Sequence, residues 1–211
     1  MNPNNKVNYS KVFKVFEKYY LLVPLEIFGE NPYKTLISTL MSARTKDDTT
    51  LPAAKRLFKK APDIKKLGQL SAIEIEKLIY PVGFYKVKAK HIKNLAATVL
   101  EKFDGIIPRS QNELTSLPGV GIKTANLVLN RAFHIPAIAV DTHVHRISNL
   151  LGWVHTKTPE ETGRELVKTL PKKYWPSMNR LFVSIGRQFT TKKSLVEFLE
   201  KNNLIRPSFN L

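Results

Sequence analysis

The sequence predicts an all-α protein, and three observations carry the prediction. Apolar residues recur at helical spacing along nearly the whole chain. The breaks between these periodic segments are short and hold Pro, Gly, Asn, Asp or Ser. The one β-like run, "IPAIAV", contains Pro136 and meets no second strand with hairpin chemistry.

Element by element, "NYSKVFKVFEKYYLLV" puts Val12, Phe13, Phe16, Tyr19 and Tyr20 on one stripe of a first helix. "NPYKTLISTLMSAR" opens on Asn-Pro, a favourable helix start, and carries Leu36, Ile37, Leu40 and Met41 at helical spacing. "DDTTLPAAKRLFKKA" begins with acidic residues suited to a helix N-terminus, with Pro52 still in its first turns. "SAIEIEKLIYPVG" has Ser71 followed by Glu74, a capping box, and stops at Pro81 and Gly83. "KVKAKHIKNLAATVLEKFDG" is a long basic helix closed by Asp104-Gly105. Six further helices follow: "QNELTSL", "KTANLVLNRAF", "DTHVHRISNLLGW", "TPEETGRELVKTL", "KYWPSMNRLFVSIGR" and "KKSLVEFLEKN".

Charge narrows the function. In 211 residues, 34 Lys and Arg stand against 17 Asp and Glu, a formal net charge of +17. Such an excess favours a polyanion, nucleic acid first. A lysine-rich solvated surface of the thermophilic kind balances Lys with Glu, and this chain does not. The absence of cysteine excludes disulfides, thiolate zinc sites, cysteine nucleophiles and ordinary iron–sulfur clusters. The polar start is unlike a signal peptide, and no apolar run approaches the ~20 residues of a membrane helix. A soluble cytoplasmic protein without membrane contact is expected.

The most informative stretch is "SLPGVGIKTANLVL". Pro118 stops one helix, Gly119 and Gly121 remove Cβ from the turn, and a second helix begins near Ile122. Free N–H groups at that helix start suit a phosphate, reached without reading bases. An ordinary tight turn is the plain alternative, and the net charge and flanking helices favour the phosphate cradle. Lys123 follows at once, either one more phosphate contact, a solvated lysine among many, or a nucleophile facing the duplex. Asp141, in "AVDTHVHR", is an excellent helix cap; that role also fixes its carboxylate for chemistry.

"LPGVGIKTANLVLNRAFHIPAIAVDTHVHR" closely resembles the helix–hairpin–helix and Gly/Pro-rich loop with aspartate of the endonuclease III family of DNA glycosylases. "NPYKTLISTLMSARTKDD", "PVGFYKVKAKHI" and "RLFVSIGRQ" extend the likeness to about residues 30 to 190. The resemblance implies two helical domains with a DNA-binding cleft between them, residues 25–136 forming one and 1–24 plus 137–211 the other. By matching position, Lys123 is the lysine that attacks C1′ of a damaged nucleotide and Asp141 the aspartate that assists. Gly119, Val120 and Gly121 form the hairpin, with Lys88, Thr142, His143 and Arg146 among the DNA contacts. Arg146 has an intramolecular ion pair as its alternative. The implied partner is double-stranded DNA with damaged bases or abasic sites, handled by a monomer at the nucleoid.

The residue types fit the chemistry. Expelling a base needs a nucleophile at C1′ and support for an oxocarbenium-like centre. A lysine amine supplies the first and then holds the sugar as a Schiff base. Relatives that only release adenine or thymine from mismatches generally lack this lysine, so its presence favours a bifunctional glycosylase and lyase acting on oxidised pyrimidines. A mismatch, uracil or 8-oxoguanine glycosylase, or a non-catalytic DNA-binding protein, are the alternatives.

Two departures stand out. Most of the family carries four cysteines for a [4Fe–4S] cluster near the C-terminus; here "GRQFTTKKSLVEFLEKNNLIRP" has none, with Thr190 near the first ligand's place. No cluster and no other cofactor is expected, and Leu195, Val196, Phe198 and Leu199 offer an apolar replacement. Arg44 stands where a glutamine is common; it serves either as filler of the space left by an extruded base or as a phosphate contact or partner of Asp47 or Asp48. Phe84 stands at the family's apolar wedge, or is a core aromatic at a helix end. His143 and His145 lie two apart with no third ligand nearby, so no metal site is read. Trp153, Tyr174 and Trp175 are expected in the core.

Overall fold

In the computed structural model, residues 8–206 are described. The polar first seven residues, and the chain after Arg206, lie outside that range. The described residues form twelve α-helices, two short 3-10 helices and no strand. The chain divides into two compact units.

The first unit is Pro24–Ala137. After a 3-10 turn at Pro24–Phe28 it holds α2 (Pro32–Ser42), α3 (Asp47–Lys60), α4 (Ile64–Gln69) and α5 (Ala72–Ile79). It continues with α6 (Tyr85–Lys102), α7 (Gln111–Ser116) and α8 (Ile122–Phe133). Asn31 caps α2, accepting from Lys34 N, with Pro32 at the start of the helix. α2 is the central element: Leu36, Ile37 and Met41 are fully enclosed, and Thr35, Ser38 and Thr39 are buried with them. The hydroxyls of Thr35 and Ser38 turn back onto the chain, Thr35 Oγ1 donating to Phe28 O at 2.7 Å and Ser38 Oγ to Thr35 O at 3.3 Å. Leu57, Ile75, Ile79, Ile92, Leu95 and Val128 complete the core around it. The capping box at α5 is present on both sides, and the hydrogen bonds from Ser71 hold the Glu74 carboxyl below the usual range.

The second unit joins α1 (Tyr9–Lys18) to α9 (Thr142–Leu150), α10 (Pro159–Thr169), α11 (Trp175–Gln188) and α12 (Lys192–Lys201). Its core is aromatic. Phe16 meets Phe182 edge-on with ring centroids 5.0 Å apart, and Phe13 stacks on Tyr174 at 4.4 Å. α12 buries Leu195, Val196, Phe198 and Leu199. Phe189, just past α11, stacks on Phe198 at 4.3 Å and so ties the two elements.

Two expectations need correction. The first helix ends at Lys18, not at Tyr20; Tyr19 is its cap residue and lies exposed, with its ring edge-on to Phe198. α4 has no counterpart in the periodic segments, being six residues long with Gly68 in its last turn. "IPAIAV" forms neither helix nor strand.

Candidate active site and nucleic-acid interface

The hairpin of the first unit is built by its own turn chemistry. Ser110 caps α7, accepting from Glu113 N, and Leu117 to Val120 close a turn through Val120 N donating to Leu117 O at 3.1 Å. Pro118 and Gly119 occupy its centre, and Gly119 has φ +78°. A Cβ there would also lie 2.8 Å from Nδ1 of His91, so glycine is required for conformation and for space. Gly121 is different. It is the N-cap of α8 with extended backbone, and a Cβ on it meets nothing within 4 Å.

No side chain caps α8, which leaves its first-turn N–H groups facing outward. Lys123, the second residue of that helix, is exposed, as is Ile122 before it. Val120 is buried and anchors the tip. Gln111 Nε2 donates to Oδ1 of the buried Asn126 at 2.6 Å, locking α7 to α8. The two glycines thus make separable predictions. Gly119→Ala is expected to cost about 1–2 kcal/mol of stability, from positive φ and the displaced His91. Gly121→Ala is expected to cost well under ~1 kcal/mol, yet to weaken DNA binding by placing a methyl where a phosphate approaches. Melting curves and salt-matched binding isotherms check both; equal stability losses would contradict the assignment.

Arg44 and Phe84 project from two turns of the same unit, each at positive φ (54° and 58°). Phe84 is 62% exposed, which excludes its reading as a core aromatic. The two line one cavity of about 230 Å³ together with Leu40, Val87, Lys88, His91 and Gly119. His91 and Val87 are additions that charge and motif reading passes over.

Lys88 is not placed as expected for a phosphate contact. It is 6% exposed, and its ammonium donates to Met41 O at 2.7 Å, Ala43 O at 2.6 Å and Thr45 Oγ1 at 3.0 Å. All three protons are used, leaving none for DNA. Burial pushes its pKa down to about 8, while the three acceptors favour the charged form and limit that fall. The native chain therefore releases this proton near pH 8, whereas the unfolded chain keeps it to ~10.4. Between these values the unfolded state binds more protons, so Lys88 adds stability as pH rises through the window and loses it as pH falls through 8. Denaturant titrations should show the stability gap between wild type and Lys88→Met widening from pH 7.5 to 10. The other basic groups on the cavity are Arg44 and His91.

In the second unit Asp141 is the N-cap of α9, its Oδ1 accepting from Val144 N at 2.8 Å. The carboxylate is half-buried, and Thr142 beside it is exposed. His143 is half-buried, its ring against Gly186. Arg146 takes backbone carbonyls as its acceptors in place of the carboxylate of its intramolecular reading. The guanidinium donates to Thr190 O at 2.7 Å, Phe189 O at 3.0 Å and Gly186 O at 3.3 Å, closing the C-terminus of α11. Nδ1 of His145 lies 2.6 Å from Thr162 Oγ1, a side-chain pairing rather than a metal arrangement. Among the described residues no group of three His, Cys, Asp or Glu is placed to hold a metal. A [4Fe–4S] cluster is held by thiolates, and a chain without cysteine does not fit it. Among the described residues no helix is long and apolar enough to cross a membrane.

An all-helical chain with a glycine hairpin, an uncapped helix start and an exposed lysine beside it is built on the plan of base-excision repair proteins. Residues 37–172 match the model of the HhH-GPD superfamily of base excision DNA repair proteins, and the chain belongs to that family. It is 46% identical over 158 residues to an endonuclease III of Thermotoga maritima, covering 75% of this chain and 74% of that protein. It is 43% identical to an endonuclease III-like protein 1 of Bos taurus over 74% of this chain, a match spanning about half (52%) of the bovine protein. A solved non-covalent complex of endonuclease III with DNA superposes with TM-score 0.78 at 32% identity, covering 89% of this chain and 90% of that one. The enzyme class that goes with this membership is DNA glycosylase/lyase of the endonuclease III type.

Proposed function

We propose that this chain removes oxidised pyrimidines from double-stranded DNA and cleaves the resulting abasic site by β-elimination. The observation that carries the reading is the exposed Lys123 in the first turn of the uncapped helix α8, next to the hairpin. The hairpin glycines and the α8 amides hold a backbone phosphate; Thr142 and His143 add contacts from the other unit. Arg44 and Phe84 enter the base stack as the damaged nucleotide turns out, the first facing the unpaired base with its guanidinium donors and the second stacking.

The neutral Lys123 amine attacks C1′; the C1′–N bond breaks and the base leaves with its electron pair, taking a proton. Loss of the amine proton and ring opening give an iminium between Nζ and C1′. That iminium acidifies C2′–H; proton abstraction expels the 3′ phosphate, leaving an unsaturated imine on the 5′ fragment, which becomes the aldehyde when water cleaves it from Nζ. Hydrolysis of the imine regenerates Lys123. Asp141, held by its capping bond to Val144 N, stabilises positive charge on the sugar or relays a proton. The protein works as a monomer at the nucleoid without an iron–sulfur cluster. A purified preparation should be colourless and free of iron; stoichiometric iron would contradict this.

Duplexes carrying thymine glycol, uracil, 8-oxoguanine or an abasic site test the reading. Cleavage at thymine glycol and abasic sites with the unsaturated aldehyde end is expected. Base release without strand cleavage would instead indicate a monofunctional mismatch or uracil enzyme.

A further inference from the structure

The turn that carries Arg44 and the turn that carries Phe84 are stitched together by hydrogen bonds outside any helix ladder. From α6, the Lys88 ammonium reaches Met41 O, Ala43 O and Thr45 Oγ1. From the Phe84 turn, Gly83 N donates to the same Thr45 hydroxyl at 3.1 Å. Thr45 Oγ1 therefore accepts from both sides, and Arg44 is bracketed by Ala43 and Thr45, two of the three residues that Lys88 grips.

The approach is close as well as bonded. A Cβ on Gly83 would lie 3.1 Å from Thr45 Oγ1 and 3.3 Å from Arg44 O, so only glycine lets the two turns meet at this spacing without a neighbour giving way. Arg44 and Phe84 both sit in the left-handed region, where a residue with a Cβ stays only if its surroundings hold it. The clamp is what holds them. Lys88 holds the residues on either side of the first, Ala43 and Thr45, and Gly83 N ties the turn of the second to Thr45.

We propose that Lys88 and Thr45 are positioning residues, forming a clamp that presents Arg44 and Phe84 to duplex DNA as one preset unit. Entry into the base stack depends on the clamp; chemistry at a deoxyribose already free of the stack does not. The proposal rests on Arg44 and Phe84 probing DNA in the manner given under Proposed function. A buried ammonium without a free donor sets the geometry of both probes. Without it, the two turns relax independently, and the duplex has to be opened by side chains that are not prepositioned.

The test compares two substrates: a duplex with thymine glycol, and a single-stranded oligonucleotide with one abasic site, cleaved by the lyase step alone. Lys88→Met keeps the length of the side chain and removes its donors. It should raise KM for the duplex about tenfold or more, the equivalent of ~1.4 kcal/mol, with single-strand cleavage within about twofold of wild type. Thr45→Val, which leaves the two carbonyl bonds of Lys88 in place, should give the same split with a smaller factor. It decides the matter if Lys88→Met does not fold. The double variant should lose less than the product of the two single effects, because both act on one bond network. Parallel loss on both substrates would mark a merely structural role and overturn the clamp. So would an unchanged KM for the duplex. A wild-type protein that cleaves neither substrate would instead overturn the enzymatic reading, and the clamp with it.

Discussion

Lys123→Gln is expected to lower single-turnover cleavage of an abasic-site duplex by about three orders of magnitude or more, the scale of removing a covalent nucleophile. Glutamine keeps a side chain of similar reach in the first turn of α8, where Lys123 is exposed and outside the core. Stability should therefore move by no more than about 0.5 kcal/mol. DNA affinity should fall only modestly, by the loss of one cation near a phosphate. The decisive pattern is lost catalysis with retained folding and retained binding. A variant that binds less but cleaves normally once saturated would reduce Lys123 to a phosphate contact.

The second large effect is expected at Asp141, where two substitutions separate the helix cap from the chemistry. Asp141→Asn preserves the acceptor for Val144 N, because asparagine caps as well as aspartate does. It should cost only a few tenths of a kcal/mol, while base excision falls about a hundredfold through loss of the carboxylate charge. Asp141→Ala removes both, adding about 1 kcal/mol of destabilisation. If the asparagine variant keeps full activity and the alanine variant loses activity only as far as it loses structure, Asp141 is a cap and nothing more.

Much of the fold was legible because its signals are local. Asn31-Pro32 and Ser71 with Glu74 each mark a helix start by chemistry confined to a few residues, and each forms the cap its sequence implies. The Pro118-Gly119 turn is local in the same way. The end of α1 was not legible, since Tyr19 and Tyr20 continue the apolar period past Lys18. α4 was too short for a period to show.

The basic residues are where sequence reasoning failed for a physical reason. Lys88 and Arg146 bear charges that suggest phosphate, yet both are engaged by backbone carbonyls 40 or more residues away along the chain. Every residue carries a carbonyl, so no residue type marks those acceptors in advance. Arg146 instead closes the C-terminus of α11 beside the Phe189–Phe198 stack. An aromatic contact and a guanidinium hold that end by packing and hydrogen bonding.

The proposed reaction passes through one covalent bond, between Nζ of Lys123 and C1′ of the sugar. Borohydride reduction during turnover on an abasic-site duplex, followed by proteolysis and mass spectrometry, locates that bond directly. The expected result is a sugar remnant on the peptide containing Lys123 and on no other. An adduct on a different lysine, or none while strands are still being cleaved, would contradict it.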